Sequence, residues 1–195
     1  MTNSDDDILK TIHQYAVEAH GTQVRKFTGE PYVEHLVRVM ETCKQYTNDI
    51  SILAAALLHD VLEDTDTSRR QLENFLKSTL DHPRAERTLT LVDELTDVYI
   101  KNDFPSLNRR ARRSREAERL SEVSPDAQTI KYADVIDNVR DIGQQQSDFA
   151  LVYLRECQQL LQRTSDGNHD LYEKAVNLVN ENLREYWKRS NVKAL

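Results

Sequence analysis

Two histidines and a group of carboxylates are the residues that could do chemistry here: His35, His59, Asp60, Glu63, Asp64 and Asp134. Four of them crowd the stretch Ala54-Ala-Ala-Leu-Leu-His59-Asp60-Val-Leu-Glu63-Asp64-Thr65. Wrapped as a helix, His59, Asp60, Glu63 and Asp64 fall within about 140° of one face. Ile50, Ala54, Leu57, Leu58 and Val61 fill the face opposite. Such groups side by side repel one another and resist desolvation unless a cation or water neutralises them. A bound metal ion is the sharper reading, and a solvated acidic helix end the plainer one. With His35 and Asp134, the His59-Asp60 pair makes a set of two imidazoles and two carboxylates. That set leaves a five- or six-coordinate ion room for water and a substrate oxygen, and an open position marks a catalytic rather than a structural metal. An ion so held lowers the pKa of its water and polarises a phosphoryl oxygen, so the expected chemistry is hydrolysis of a phosphate ester.

The elements that must position these groups read as helices. Ser4 or a following aspartate caps a first helix with Ile8, Ile12, Tyr15, Ala16 and Ala19 at helical spacing, and Gly21 closes it. The basic stretch Thr22–Gly29 reads as a loop. Pro31 opens a second helix, which carries His35 beside its apolar stripe. Asn48 or Asp49 caps a third, expected to run to Thr65 through the His-Asp pair, and Thr67 or Ser68 caps a fourth. A fifth starts at Pro83, and from Asp97 to Pro105 the pattern breaks into a loop. Residues 106–121 crowd Arg109, Arg110, Arg112, Arg113, Arg115 and Arg119; a few are expected to face an anionic ligand, the rest solvent, with Glu116, Glu118 and Glu122 as charged partners. Ser124-Pro125 opens the helix bearing Asp134 and Asn138, which share a face four residues apart. Two amphipathic helices, about 148–163 and 169–189, follow across the turn Ser165-Asp-Gly-Asn168 as scaffold.

The expected fold is therefore all-α, a helical bundle forming a single domain over 1–195. Its catalytic core spans about 8–145 and its scaffold about 148–190. At 195 residues with few glycines and prolines, a many-stranded sheet is disfavoured and a sizeable core is within reach. The net charge of −7 argues against a nucleic-acid partner held by a general basic surface. Cys43 and Cys157 fit no metal or redox spacing and are expected as buried free thiols. The acidic Met1–Asp7 lacks the layout of a secretion signal, and no run approaches a membrane span, so a cytoplasmic protein with no membrane partner is expected.

The order His35, then Ala-Leu-Leu-His59-Asp60-Val-Leu-Glu63-Asp64-Thr65, then Ile-Lys-Tyr-Ala-Asp134-x-x-x-Asn138-x-Arg140 resembles the HD-domain metal-dependent phosphohydrolases. More narrowly it is similar to the (p)ppGpp hydrolase domain of the RelA/SpoT-type enzymes of the stringent response. The narrower likeness rests on Ala19-His20-x-x-Gln23-x-Arg25-Lys26, Gly29-Glu-Pro31-Tyr32-x-x-His35, Glu63-Asp64-Thr65 and the Asp134–Arg140 segment. The resemblance implies one divalent ion, typically Mn²⁺, on His35, His59, Asp60 and Asp134. It implies Glu63 and Asp64 as the groups that activate water and handle the leaving group's proton. It places Arg25 and Lys26 along the guanine nucleotide, and Asn138 and Arg140 near its sugar and phosphates. The implied reaction removes pyrophosphate from the ribose 3′ position, leaving GDP or GTP.

Two departures stand out. Where the larger enzymes usually carry Arg-Leu-His-Asn after the aspartate, this chain has Val135-Ile136-Asp137-Asn138, and Leu36 follows His35 where proline is common. No synthetase or regulatory domain fits in the remaining length, so the likeness is to the stand-alone small alarmone hydrolases. Two other readings stay open: an HD phosphohydrolase of another nucleotide (NADPH 2′-phosphate, a dNTP or a monophosphate), and a non-catalytic nucleotide sensor.

Overall fold

The computed structural model describes residues 4–142, 145 and 147–192. The first residues of the N-terminal stretch read for an export signal, 1–3, lie outside them. The described residues are helical: α1 (Asp5–His20), α2 (Tyr32–Lys44), α3 (Ile50–Leu58), α4 (Val61–Asp64), α5 (Arg69–Thr79), α6 (His82–Leu95), α7 (Arg109–Leu120), α8 (Pro125–Ile142), α9 (Asp148–Leu161) and α10 (His169–Val192). The all-α expectation holds, and the extended pairing among these residues is one isolated bridge, Val24 with Pro31. No helix among them is long and apolar enough to cross a membrane. Cys43 and Cys157 are buried free thiols. Two compact units divide the chain, Met1–Thr96 and Asp97–Leu195.

In the first unit α3 is the central helix, packed by α1, α2 and α6, with α5 against α6. Its sequence, Ile-Ser-Ile-Leu-Ala-Ala-Ala-Leu-Leu, has no polar face, and every residue from Ile50 to Leu58 is buried. Asp49 caps its start by accepting from Ser51 N. The expected continuous helix to Thr65 does not form. Asp60, at φ −98° and ψ −4°, restarts the chain as the four-residue α4. Glu63 N and Asp64 N both bond to Asp60 O, at 3.2 and 2.8 Å. An axis buried on all sides cannot carry four polar groups onward, so the chain turns at His59-Asp60.

Other ends follow the expected caps: Ser4 for α1, Gly21 in positive φ after it, and Ser68 with Gln71 as a capping box on α5. The basic stretch after α1 is tighter than a loop. Arg25 N donates to Glu30 O, Gly29 N to Arg25 O and Tyr32 N to Gln23 O, each at 2.9 Å.

In the second unit α8 packs on α10 and α9, and α7 and α10 on α9. Gln128, Thr129 and Tyr132 of α8 hold the turn before α10 by taking bonds from Asp166 N at 2.9 Å, Asn168 N at 2.8 Å and Gly167 N at 3.3 Å. The arginine segment departs from expectation. Arg109 forms a two-pronged pair with Glu156 at 2.8 and 2.7 Å, and Arg113 reaches Asp97 at 2.6 Å. Arg112 donates to Leu107 O, and Arg115 lies 5.9 Å from the Tyr99 ring centre. Glu116, expected as a solvated partner, is 3% exposed and accepts from Val98 N, Tyr99 N and Arg119 Nε. These guanidinium groups are engaged with their own unit, where distant acids and carbonyls meet them.

Candidate metal centre

Tyr32 and His35 lie three residues apart near the start of α2, so both face the His59-Asp60 turn that follows α3. His35 is 1% exposed and His59 2%. His59 Nδ1 sits 2.9 Å from Ala56 O. A carbonyl only accepts, so Nδ1 carries a hydrogen, and it is Nε2 that would give up its proton and offer a lone pair to a metal ion. His59 Nε2 and His35 Nε2 converge on one oxygen, Asp60 Oδ2, at 3.2 and 3.6 Å. Desolvation would raise the Asp60 carboxyl, but the imidazoles of His59 and His35 outweigh it and hold it well below the carboxylate range.

Tyr32 closes this group from the other side. Its hydroxyl lies 2.7 Å from Asp60 Oδ2 and 2.7 Å from Asp64 Oδ2. Its ring stacks on His20 at 4.8 Å, takes His35 edge-on at 5.7 Å, and has the Arg25 guanidinium 5.7 Å from its centre. His20 Nδ1 is in turn 2.7 Å from Gln23 Oε1. Burial, then the charges of Asp60 and Asp64, push the Tyr32 phenol far above its ordinary value, so it stays protonated. Desolvation, then the charge of Asp60, raises the Asp64 carboxyl as well. A cavity of about 540 Å³ opens beside these residues, lined by His20, Gln23, Glu63, Asp64, Thr65 and their neighbours.

The first unit thus brings His35, His59, Asp60 and Asp64 together, with Arg25 over Tyr32. Glu63 is exposed on α4, and Lys26 is exposed with Nζ 5.5 Å from the Phe27 ring centre. In the second unit Asp134 is buried on α8, its Oδ1 taking Asn138 Nδ2 at 2.5 Å and its Oδ2 facing Lys131 Nζ at 2.8 Å. Asn138 is therefore a partner of that carboxylate. Asp137, the departure from the family pattern, is 2% exposed, and Arg140 is exposed.

Sequence reasoning gave no role to Tyr32, His20 or Lys131. Tyr32 stands three residues before His35, and Lys131 three before Asp134. That helical spacing was the signal available. As a donor set, two buried imidazole nitrogens facing an ionised carboxylate oxygen fit a divalent ion of the first transition row, with further positions open to oxygen ligands.

An all-helical chain with a buried His/His-Asp donor set is the architecture of one class of metal-dependent hydrolases. The HD domain family matches residues 13–163, and the chain belongs to that family. Among named relatives, it is 36% identical over 135 residues to the guanosine-3′,5′-bis(diphosphate) 3′-pyrophosphohydrolase MESH1 of Drosophila melanogaster, covering 66% of each chain. To the protein of the same name in Homo sapiens it is 33% identical over 132 residues, again 66% of each. The alignments thus span just under two thirds of these relatives' length. A solved structure of a metazoan ortholog of SpoT that hydrolyses ppGpp superposes with a TM-score of 0.66 at 26% identity, covering 94% of this chain and 95% of that one.

Proposed function

We propose that this protein is a metal-dependent (p)ppGpp 3′-pyrophosphohydrolase. It would release pyrophosphate from the ribose 3′ oxygen and leave GDP or GTP. The observation that carries the reading is the convergence of His35 Nε2 and His59 Nε2 on Asp60 Oδ2. The relatives' names supply the substrate.

In this reading His35, His59, Asp60 and Asp134 hold one Mn²⁺. When bound, the ion lowers the pKa of its water and polarises a phosphoryl oxygen. Glu63, exposed on α4, takes the proton of the attacking water. Asp64, whose carboxyl is raised, returns a proton to the departing 3′ oxygen. Arg25 and Lys26 sit on the closed turn of residues 22–31 and would meet the nucleotide's base and phosphates. Arg140 would meet its phosphates, and Asn138 orients Asp134 as well as lying near the sugar. The family match runs through both compact units, which supports one hydrolase domain over 1–195. The partner is a small guanine nucleotide rather than a nucleic acid, and the setting is the cytoplasm.

Ion-exchange analysis of products tests this. Metal-stripped protein is incubated with ppGpp, NADPH or dGTP, with and without Mn²⁺. GDP and pyrophosphate appearing only with ppGpp and Mn²⁺ is the expected result. Turnover of NADPH or dGTP alone would move the specificity to another nucleotide, and inertness toward all three would point to a sensor.

A further inference from the structure

We propose that Tyr32 is a positioning residue: its hydroxyl fixes the carboxylate of Asp60 against the imidazole pair and sets Asp64 beside it. The inference rests on the metal site proposed above and adds a residue to it.

A phenol has one proton to give, yet the Tyr32 oxygen lies 2.7 Å from a carboxylate oxygen on each side. The residue bridged on one side faces both histidines; the one on the other side belongs to the acid–base pair. One atom therefore ties the metal-binding carboxylate to the catalytic one. The contacted oxygen of Asp60, Oδ2, is the same oxygen that His59 Nε2 and His35 Nε2 approach. Rotation of the Asp60 side chain away from the imidazoles would break the phenol's bond at the same time.

The ring that carries the hydroxyl is itself held. His20 lies parallel to it, with an interplanar angle of 11°, and His20 is anchored in turn by Gln23. His35 meets its edge, and Arg25 stands over it. The hydroxyl is thus held by contacts of its own ring, independent of the two carboxylates it meets. Partners of this kind orient a metal's ligands, and their loss typically weakens metal binding by about 10- to 100-fold. A residue serving only to pack would lose nothing at the metal when its oxygen alone is removed.

Tyr32→Phe makes that separation, since it keeps the ring, the His20 stack and the Arg25 contact. Mn²⁺ affinity is measured by equilibrium dialysis on wild type, Tyr32→Phe and Asp64→Asn, with circular-dichroism melts alongside and kcat and KM for ppGpp at saturating Mn²⁺. The expected result is a melting temperature near wild type, a Kd for Mn²⁺ raised about 10-fold or more in Tyr32→Phe, a lowered kcat and an unchanged KM. Asp64→Asn leaves the bond to Asp60 in place and should hold Mn²⁺ as the wild type does. An unchanged Kd in Tyr32→Phe overturns the proposal. So does equal weakening in Asp64→Asn, which would mean a general loosening of α4. Wild-type protein that takes up no Mn²⁺ would instead overturn the metal site and this inference with it.

Discussion

Asn138 donates its side-chain amide to Asp134 Oδ1 at 2.5 Å, one turn further along α8. The family pattern assigns Asn138 to the nucleotide, but its nearest duty is to a buried carboxylate that Lys131 also contacts. Asn138→Ala is therefore expected to weaken Mn²⁺ binding by about tenfold, beside any rise in KM for ppGpp from its place near the sugar. Competition against a fluorescent chelator reads the affinity. Unchanged metal binding with a raised KM at saturating Mn²⁺ would return Asn138 to the substrate alone.

Gly167 sits where the turn before α10 presses on α8. A Cβ there would lie 2.6 Å from Tyr132 Cε2 and 2.8 Å from the backbone nitrogen of Thr129. Neither neighbour is the free end of a flexible chain, since Tyr132 is fully buried and bonded to Thr164 O. Gly167→Ala should cost about 1–3 kcal/mol, which lowers the melting temperature by about 2–4 °C per kcal/mol in a chain of this size. A melt unchanged from wild type would show that the turn can lift away from α8 at no cost.

The two thiols carry a pH dependence with a definite sign. Burial pushes Cys43 and Cys157 up to about 12 from an ordinary value of 9.0. The unfolded chain ionises first, so the thiols leave stability untouched below pH 9 and take it away progressively between about pH 9 and 12. Urea midpoints compared at pH 8 and pH 10 should fall further in wild type than in the Cys43→Ala, Cys157→Ala double variant. Neither thiol should react with a disulfide reagent at pH 8 until urea is added. Rapid labelling of the native chain would contradict their burial.

What could be read in advance depended on whether a residue's neighbours were close in sequence. Caps such as Ser4, Ser68 and Ser124 were legible because each bonds to a group three residues away. The restart at His59-Asp60 was not, because a helical wheel drawn through it still shows an apolar face. The clue lay in the nine-residue Ile50–Leu58 run, which has no polar side and so belongs wholly to the core. Arg109 and Arg113 of α7 could pass for ligand-facing or solvated because their partners Glu156 and Asp97 stand 47 and 16 residues away. Charge counting records how many cations a segment has and leaves open which acids the fold will bring to them. The role of Tyr32 is hidden in the sequence, since 28 residues separate it from Asp60 and 32 from Asp64.

The most direct test measures bound Mn²⁺ and ppGpp turnover on the same preparations of wild type, His59→Ala and Glu63→Gln. Wild type is expected to hold one ion per chain and to be inactive when stripped. His59→Ala should lose ion and turnover together, because it removes a ligand. Glu63→Gln should keep the ion while kcat falls by a factor on the order of 10² or more. A His59→Ala protein that keeps both metal and activity, or a stripped wild type that hydrolyses ppGpp at full rate, would contradict a metal-dependent hydrolase built on the His59-Asp60 pair.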